Sequence, residues 1–288
     1  MNFRRLVTRT AATGAVTALA GAGLVAGATT SAQADVTGSG NYTCSVTTPL
    51  TVPLTGDFGM AISTPVIPPT VTAGQSFPAG PLAVTAVLTI PASSAAMLNQ
   101  FGVDHGTIDD YAAHLGTSSI GAPLNFPDAP VAQPDGSATM TGTGNNLAFT
   151  TPAAGTYDVL LPESFTFSTE VTLSPGADPT PATIGCTSTD PGNLGSVVVT
   201  KGISATAGKV AKTTKGYKAT ATVTRIGDDV VPAGKVLAKL GTKTVATKTL
   251  KKGKAVFALP KSAKGKKLSL IYKGDGYTKG SKATLKVK

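Results

Sequence analysis

The sequence contains no tryptophan and only six tyrosines among its 288 residues. Aromatic side chains are the platforms on which bases stack in proteins that bind single-stranded nucleic acid, and sugar rings are usually held in a similar way. Their scarcity argues against a specific nucleic-acid partner. It also weakens the hypothesis of a carbohydrate-binding protein.

Recognisable catalytic motifs are missing as well. The chain has neither a Gly-x-Ser-x-Gly nucleophile elbow nor a Gly-Lys-Ser/Thr phosphate-binding loop. The two histidines, His105 and His114, lie in one aspartate-rich segment. If residues 107–115 form a helix with Thr107 as N-cap, Asp110 and His114 share one face. That leaves open an acid–base pair or a metal site, beside the simpler interpretation of a capped, solvated helix. The spacing matches no metal motif, so we expect no catalytic residue, no metal, no cofactor and no enzymatic activity.

Lysine and arginine are absent between Asp35 and Ser196, where there are 12 acidic residues. From Val197 to Lys288 the chain has 22 basic and only three acidic residues, so the two stretches carry net charges of −12 and +19. Such a division indicates two separate units. A turn-forming run, Asp190-Pro191-Gly192-Asn193, coincides with the change. We therefore predict an acidic domain at 35–190, a linker at 191–196 and a basic domain at 197–288.

The chain has no long run of strongly apolar residues. Arg4, Arg5 and Arg9 precede an Ala- and Gly-rich stretch, and Ala32-Gln33-Ala34 follows as a small-x-small cleavage site. This pattern predicts a signal peptide at 1–34 and a secreted protein with no transmembrane anchor in its mature chain. A retained membrane anchor is the weaker alternative, because the stretch is poor in Leu and Ile. General and twin-arginine export both stay open.

Apolar and polar residues alternate with a period of two in both domains, which is typical of half-buried strands. The alternation is clearest at 165–173, 84–90, 268–272 and 284–288. Clusters of Gly and Pro between such runs are typical of sandwiches. The sequence therefore predicts an all-β protein of two β-sandwich-like domains, with short helices at 93–100 and 107–115.

Cysteine occurs only at Cys44 and Cys186, near the two ends of the acidic domain. Two cysteines in an exported chain usually form a disulfide. A metal pair or two free thiols are the alternatives, although a metal would need more soft ligands than two histidines supply. We predict a disulfide that joins the first and last strands of the acidic domain.

The basic domain contains a series of spaced motifs: Tyr217 to Val223, Pro232 to Val236, Leu250 to Ala255, Leu268 to Asp275, Tyr277 and Ser281. Together they resemble the bacterial Ig-like repeat domains of secreted and surface proteins. The resemblance covers nearly all of the domain and implies a seven-stranded sandwich that serves as a spacer, stalk or adhesive module without catalytic residues. It also places Lys273-Gly274-Asp275, which looks like an adhesion tripeptide, in the loop before the last strand.

The acidic domain opens with Tyr42-Thr43-Cys44, contains Pro-rich strands including Ile90-Pro91, and closes with Cys186. In these features it resembles a domain of unknown function found in actinobacterial exported proteins. It implies a β-rich fold held by one disulfide and names no activity.

Lysines alternate with apolar residues in the basic domain, so they should point to solvent on several strands. A charge of +19 on 92 residues exceeds what solubility requires and should attract polyanions. We therefore expect a secreted or cell-wall-associated structural module that binds anionic wall polymers or another envelope protein. A calcium- or carbohydrate-binding extracellular protein is the alternative. A solubility coat is the simplest interpretation, since lysines also guard against edge pairing. The candidate polyanion-binding residues are Lys218, Lys239, Lys267, Lys282 and Lys286.

Overall fold

A computed structural model describes residues 36–48, 51–65, 67–174 and 176–288. The predicted signal peptide lies outside these residues. The described chain is all-β, with one α-helix and one short 3-10 helix. None of its helices is long and apolar enough to span a membrane.

Residues 36–200 form an N-terminal part with its own hydrophobic core. Its elements are β1 (Val36–Thr48), β2 (Val52–Pro53), β3 (Phe58–Thr64), β4 (Thr70–Thr72), β5 (Ser76–Phe77), β6 (Ala83–Ile90), α1 (Ala92–Gln100), β7 (Gly106–Ile108), β8 (Ala112–Leu115), β9 (Ser118–Gly121), β10 (Leu124–Phe126), β11 (Val131–Ala132), β12 (Ala138–Asn145), β13 (Phe149–Thr150), β14 (Gly155–Leu160), β15 (Ser164–Val171), β16 (Thr180–Asp190) and β17 (Asn193–Thr200).

The largest sheet of this part closes on itself. Its antiparallel order is β10-β7-β15-β16-β1-β3-β6-β12, and β10 pairs again with β12, so eight strands form a barrel. Two glycines make room inside it, because a Cβ on Gly106 or Gly142 would clash with the rings of Phe167 and Phe126. These two rings meet edge to face at 5.6 Å. The N-terminal part is therefore a barrel with a side sheet, which differs from the sandwich-like domain that the sequence predicts.

A second sheet packs beside the barrel in the order β4-β17-β14-β8-β9. The chain crosses from barrel to side sheet at Pro191 and Gly192, which separate β16 from β17. Val197 and Val199 of β17 are buried in the N-terminal core. The predicted linker at 191–196 and the predicted start of the basic domain at 197 are therefore wrong. The turn-forming residues make a connection inside the N-terminal part, and β17 continues to Thr200.

The helix predicted at 107–115 is also wrong, because this segment forms β7 and β8 with a bend between them. Tyr111, Ala113 and Leu115 are buried with a period of two. Asp110 does not start a helix; its carboxylate accepts a hydrogen bond from the backbone N–H of Thr166 at 2.9 Å. The helix predicted at 93–100 is confirmed as α1, and Leu98 is its buried apolar residue.

Residues 201–288 form a C-terminal part with a second core. A three-stranded sheet, β18-β19-β22, and a four-stranded sheet, β21-β20-β23-β24, contribute to it. The strands are β18 (Ser204–Thr213), β19 (Gly216–Arg225), β20 (Lys235–Leu240), β21 (Lys243–Thr249), β22 (Lys254–Leu259), β23 (Lys267–Tyr272) and β24 (Ser281–Lys286), and the 3-10 helix is Lys261–Ala263.

Candidate functional site

The outer face of the four-stranded sheet carries most of the predicted polyanion-binding lysines. In β23, Leu268, Leu270 and Tyr272 point into the core, so Lys267 points outward. Lys286 lies directly opposite Lys267 on β24. Both lysines are therefore on the solvent side of the sheet.

Two further predicted lysines share this face. Lys282 on β24 lies opposite Ile271, and Lys239 on β20 lies opposite Ser269. Lys239 is half-buried, whereas Lys267, Lys282 and Lys286 are exposed. We call Lys239, Lys267, Lys282 and Lys286 the lysine face.

Lys218, the fifth predicted residue, lies elsewhere. It is on β19 in the three-stranded sheet. The residues on either side of it in the chain, Tyr217 and Ala219, enter the same core from the other side. Its outward side is shared with Lys209 and Lys254, since these residues lie opposite Thr220 and Thr222 of the same strand. The structure therefore brings four of the five predicted lysines together and places Lys218 on the opposite surface.

Two of the three acidic residues of the C-terminal part are engaged at its junction with the N-terminal part. Asp228 pairs with the wholly buried side chain of Arg225, which also donates to the backbone oxygen of Ala73 at 2.6 Å. Asp275 accepts hydrogen bonds from the backbone N–H groups of Ala233, Tyr277 and Thr278 at 2.9, 2.8 and 2.7 Å.

The contacts of Asp275 indicate a structural role for the adhesion-like Lys273-Gly274-Asp275. The Asp275 carboxylate is held by its own loop, as expected for a structural turn before β24. Burial of this carboxylate raises its pKa, but the three backbone hydrogen bonds outweigh that effect and hold the pKa below its ordinary value.

The histidine segment does not assemble a site. Asp104 and His105 contact each other at the surface, whereas Asp110 binds the backbone of β15 and His114 is an exposed residue of β8. Within the described residues, no cluster of three or more His, Cys, Asp or Glu side chains could hold a metal ion.

The predicted disulfide between Cys44 and Cys186 is confirmed. The two residues are direct partners in the neighbouring strands β1 and β16. Both are buried in the N-terminal core. The bridge therefore joins two adjacent strands of the barrel, and β17 follows as the last strand of this part.

An apolar cavity lies in the N-terminal part, and no sequence pattern indicates it. Ile62 of β3 and Val84 of β6 form its barrel side, and Tyr111, Leu115 and Val197 form its side-sheet wall. The opposite ends of β3 and β6, at Phe58 and Ile90, lie next to α1. We call this space the barrel-mouth cavity, because it occupies the barrel end away from α1.

The sequence of residues 41–197 matches the model of a protein family described as "Family of unknown function (DUF6801)". The chain belongs to this family. The DUF6801 match contains the barrel, the disulfide and the barrel-mouth cavity. It ends before the lysine face, so that face is an addition to the DUF6801 region.

No curated protein matches the sequence. Among solved structures, the chain is similar to a β-D-glucuronidase from Dictyoglomus thermophilum at 12% identity and a TM-score of 0.23. The alignment covers 87% of this chain and 42% of that enzyme. A likeness this distant supports neither a fold nor a function for the DUF6801 protein.

Proposed function

We propose that the protein is a secreted, non-enzymatic module of the cell envelope or extracellular space whose Ig-like C-terminal domain binds anionic polymers. The observation that carries this proposal is the convergence of Lys239, Lys267, Lys282 and Lys286 on one face of one sheet. A buried disulfide supports an oxidising compartment.

The architecture of the C-terminal part supports an Ig-like sandwich. Seven strands form sheets of three and four, and both sheets contribute to one core. Inward positions alternate with outward ones along β19, β22 and β23. Such a sandwich offers two broad, rigid outer faces on which charged side chains keep fixed spacings.

Charge placement supports binding through the lysine face. Neighbouring antiparallel strands bring opposite Cβ atoms to roughly 5 Å, and four residues along a strand span about 14 Å. Lys267 and Lys286 are therefore close together. Lys282 lies four residues from Lys286 on β24, about 14 Å away. Asp228 pairs with Arg225, and the Asp275 carboxylate is held by backbone N–H groups such as that of Ala233. A polymer with regularly spaced phosphate or sulfate groups can meet several ammonium groups at once and release its counterions.

Two matched triple variants test the proposal in the full protein. Lys267→Ala, Lys282→Ala and Lys286→Ala remove three charges from the lysine face, and Lys209→Ala, Lys218→Ala and Lys254→Ala remove three from the opposite sheet. Binding to immobilised heparin and to wall teichoic acid is measured between low and high salt. We expect the first variant to weaken binding more and to lower the salt dependence by roughly one unit per lysine in contact.

Equal losses in the two variants would show that the lysines act as a general charged coat. Binding that does not change with salt would contradict an electrostatic site altogether, because exposed charges are screened over about 8 Å at physiological ionic strength.

A further inference from the structure

Opposite charges lie in different parts of the described chain and do not neutralise each other there. All eleven carboxylates of residues 36–200 are exposed, and this stretch has no lysine or arginine. Among the described residues, Asp104 pairs with His105 and Asp228 with Arg225, but no lysine pairs with a carboxylate. Both charged surfaces are therefore open to a partner outside the chain.

Six of the eleven carboxylates surround one end of the barrel. At this end β3, β7, β12 and β16 begin, and β6 and β15 end. The helix α1 covers the same end and has no charged residue. The six carboxylates lie in or beside the connections around α1. We call them the acidic rim: Asp57, Asp104, Asp128, Asp135, Glu170 and Asp178.

The C-terminal part joins the N-terminal part at the other end of the barrel. Arg225 donates to the Ala73 backbone oxygen at 2.6 Å. The next residue, Gly74, donates its backbone N–H to the oxygen of Thr151, which lines the barrel-mouth cavity. Between the two ends, the eight residues of β6 cover about 25 Å, whereas charges are screened over about 8 Å at physiological salt. The acidic rim is therefore electrostatically separate from the lysines of its own chain.

The lysine face has the composition of a docking surface. Lys235 lies beside it, because it precedes Lys239 by four residues on β20 and points to the same side. Leu237 and Ile271 are half-buried cross-strand partners on this side of the sheet. The strands β20, β23 and β24 contain no acidic residue. The surface therefore combines an apolar centre with a charged periphery, as protein interfaces do.

The acidic rim has the same plan with the opposite charge. Its centre is the uncharged α1, where Ala92 and Ala96 are exposed and Met97 is half-buried. Its periphery is made of carboxylates. An uncharged centre can meet an uncharged centre while the two charged peripheries face each other.

We propose that copies of this chain associate head to tail, with the lysine face of one copy docked on the acidic rim of the next. This inference rests on the proposed function, because the same lysine face is the anion-binding surface. The two docking surfaces differ, so each contact leaves one free surface of each kind, and open chains grow unless a ring closes. Exposed ion pairs are individually weak, so we expect association at about 0.1 mM protein and above at low salt.

Two complementary variants of the full protein test the contact. The face variant carries Lys267→Ala, Lys282→Ala and Lys286→Ala. The rim variant carries Asp57→Asn, Asp128→Asn and Asp178→Asn. Sedimentation at low salt measures the size of the particles. The unchanged protein should form dimers and longer chains as its concentration rises, and each variant alone should associate at least tenfold more weakly.

A mixture of the two variants gives the decisive result. The rim variant keeps its lysine face and the face variant keeps its acidic rim, so a 1:1 mixture should form dimers and nothing larger. Dimers in the mixture also show that both variants are folded.

A charge-matched control separates the position of the carboxylates from net charge. It loses three carboxylates at the mouth end of the barrel, after β7, before β15 and at the end of β16. We expect it to associate like the unchanged protein. Its substitutions are Asp109→Asn, Glu163→Gln and Asp190→Asn.

Heparin binding distinguishes this inference from the proposed function. The rim variant keeps its lysine face, so it should bind heparin at least as tightly as the unchanged protein. An unchanged protein that binds heparin but stays monomeric up to about 1 mM at low salt would overturn the inference alone. Self-association without heparin binding would overturn the proposed function alone.

Three further results would overturn head-to-tail association. The first is a mixture of the rim and face variants that stays monomeric. The second is an equal loss of association in the rim variant and in its charge-matched control. The third is association that does not weaken as salt rises, because contacts between exposed charges are screened by salt.

Discussion

Lys267 and Lys286 are direct cross-strand partners on the outer face of the four-stranded sheet, so two like charges face each other. Such a pair destabilises a sheet. Its presence is consistent with a face that is arranged for an external anion and not for stability alone.

Replacing one member of this pair should stabilise the fold and weaken binding together. We expect Lys286→Glu to raise the free energy of unfolding by roughly 0.2–1 kcal/mol, because a like-charge pair becomes an opposite-charge pair. Affinity for polyanions should fall at the same time. Urea unfolding and heparin binding measure the two effects.

Lys282→Glu is the matched control, since Lys282 lies opposite the uncharged Ile271. It should weaken polyanion binding without the gain in stability. The double change Lys267→Glu with Lys286→Glu restores a like-charge pair and should lose the gain; a double variant more stable than Lys286→Glu alone would contradict the pairwise explanation.

The disulfide should contribute strongly to the stability of the barrel. Cys44 and Cys186 are separated by 142 residues, for which loop-closure entropy gives about 5 kcal/mol and measured bridges more often about 2–4 kcal/mol. Replacing both residues by Ala should lower the free energy of unfolding by about 2–4 kcal/mol in urea titrations.

Both sulfur-bearing side chains are buried, so a reductant should reach the bridge only after local opening. Thiol release should be slow in the native protein and fast in denaturant. Equal rates under the two conditions would show that the bridge is accessible.

Arg225 should couple the two parts of the chain. Its guanidinium pairs with Asp228 and donates to Ala73 across the junction. Removing Arg225 leaves the buried Ala73 oxygen without this donor, which costs about 1–3 kcal/mol, so Arg225→Ala should separate the thermal transitions of the N-terminal and C-terminal parts in calorimetry.

Gly202→Ala should have a similar effect without removing a charge, because its new Cβ would lie 2.5 Å from the Arg225 guanidinium. Gly185→Ala is a suitable control: its Cβ would meet only Thr47, at an ordinary 3.5 Å. Unchanged transitions in both Arg225→Ala and Gly202→Ala would mean that the junction carries no coupling.

Stability in acid should depend on Asp275. Its pKa in the folded protein is held below the ordinary value of 3.8, so it contributes stability that is fully present above that value. This stability is lost as the pH falls through the lower, folded pKa. Asp275→Asn should therefore be less stable than the unchanged protein at neutral pH, and the difference should shrink below about pH 4.

Thermal unfolding between pH 2 and 7 measures this dependence. A constant difference over the whole range would assign the effect of the substitution to something other than the ionised carboxylate.

Strands with strong alternation were predictable from the sequence. Phe165, Phe167 and Val171 of β15 are buried as expected, and so are Leu268 and Leu270 of β23. In these runs the local pattern and the tertiary environment favour the same structure, because each strand has one face in a core.

The segment around Asp110 shows where local signals failed. Thr107 and two aspartates resemble the first turn of a helix, but pairing of β8 with β9 and β14 places Tyr111, Ala113 and Leu115 in the core. Such long-range pairing is not visible in a local window. For the same reason the barrel-mouth cavity could not be predicted, since its lining comes from positions between Ile62 and Val197.

The position of the Cys44–Cys186 bridge also determines how the N-terminal part would respond to a mechanical load. A pull applied at Val36 and Thr200 would pass from β1 through the covalent bridge to β16, and residues 45–185 would carry no tension. Without the bridge, residues 45–185 would unravel and add about 500 Å of extension, at about 3.5 Å per residue. Force spectroscopy with and without reductant should therefore differ by nearly that length, and a protein anchored to a surface through its ends would resist being stretched.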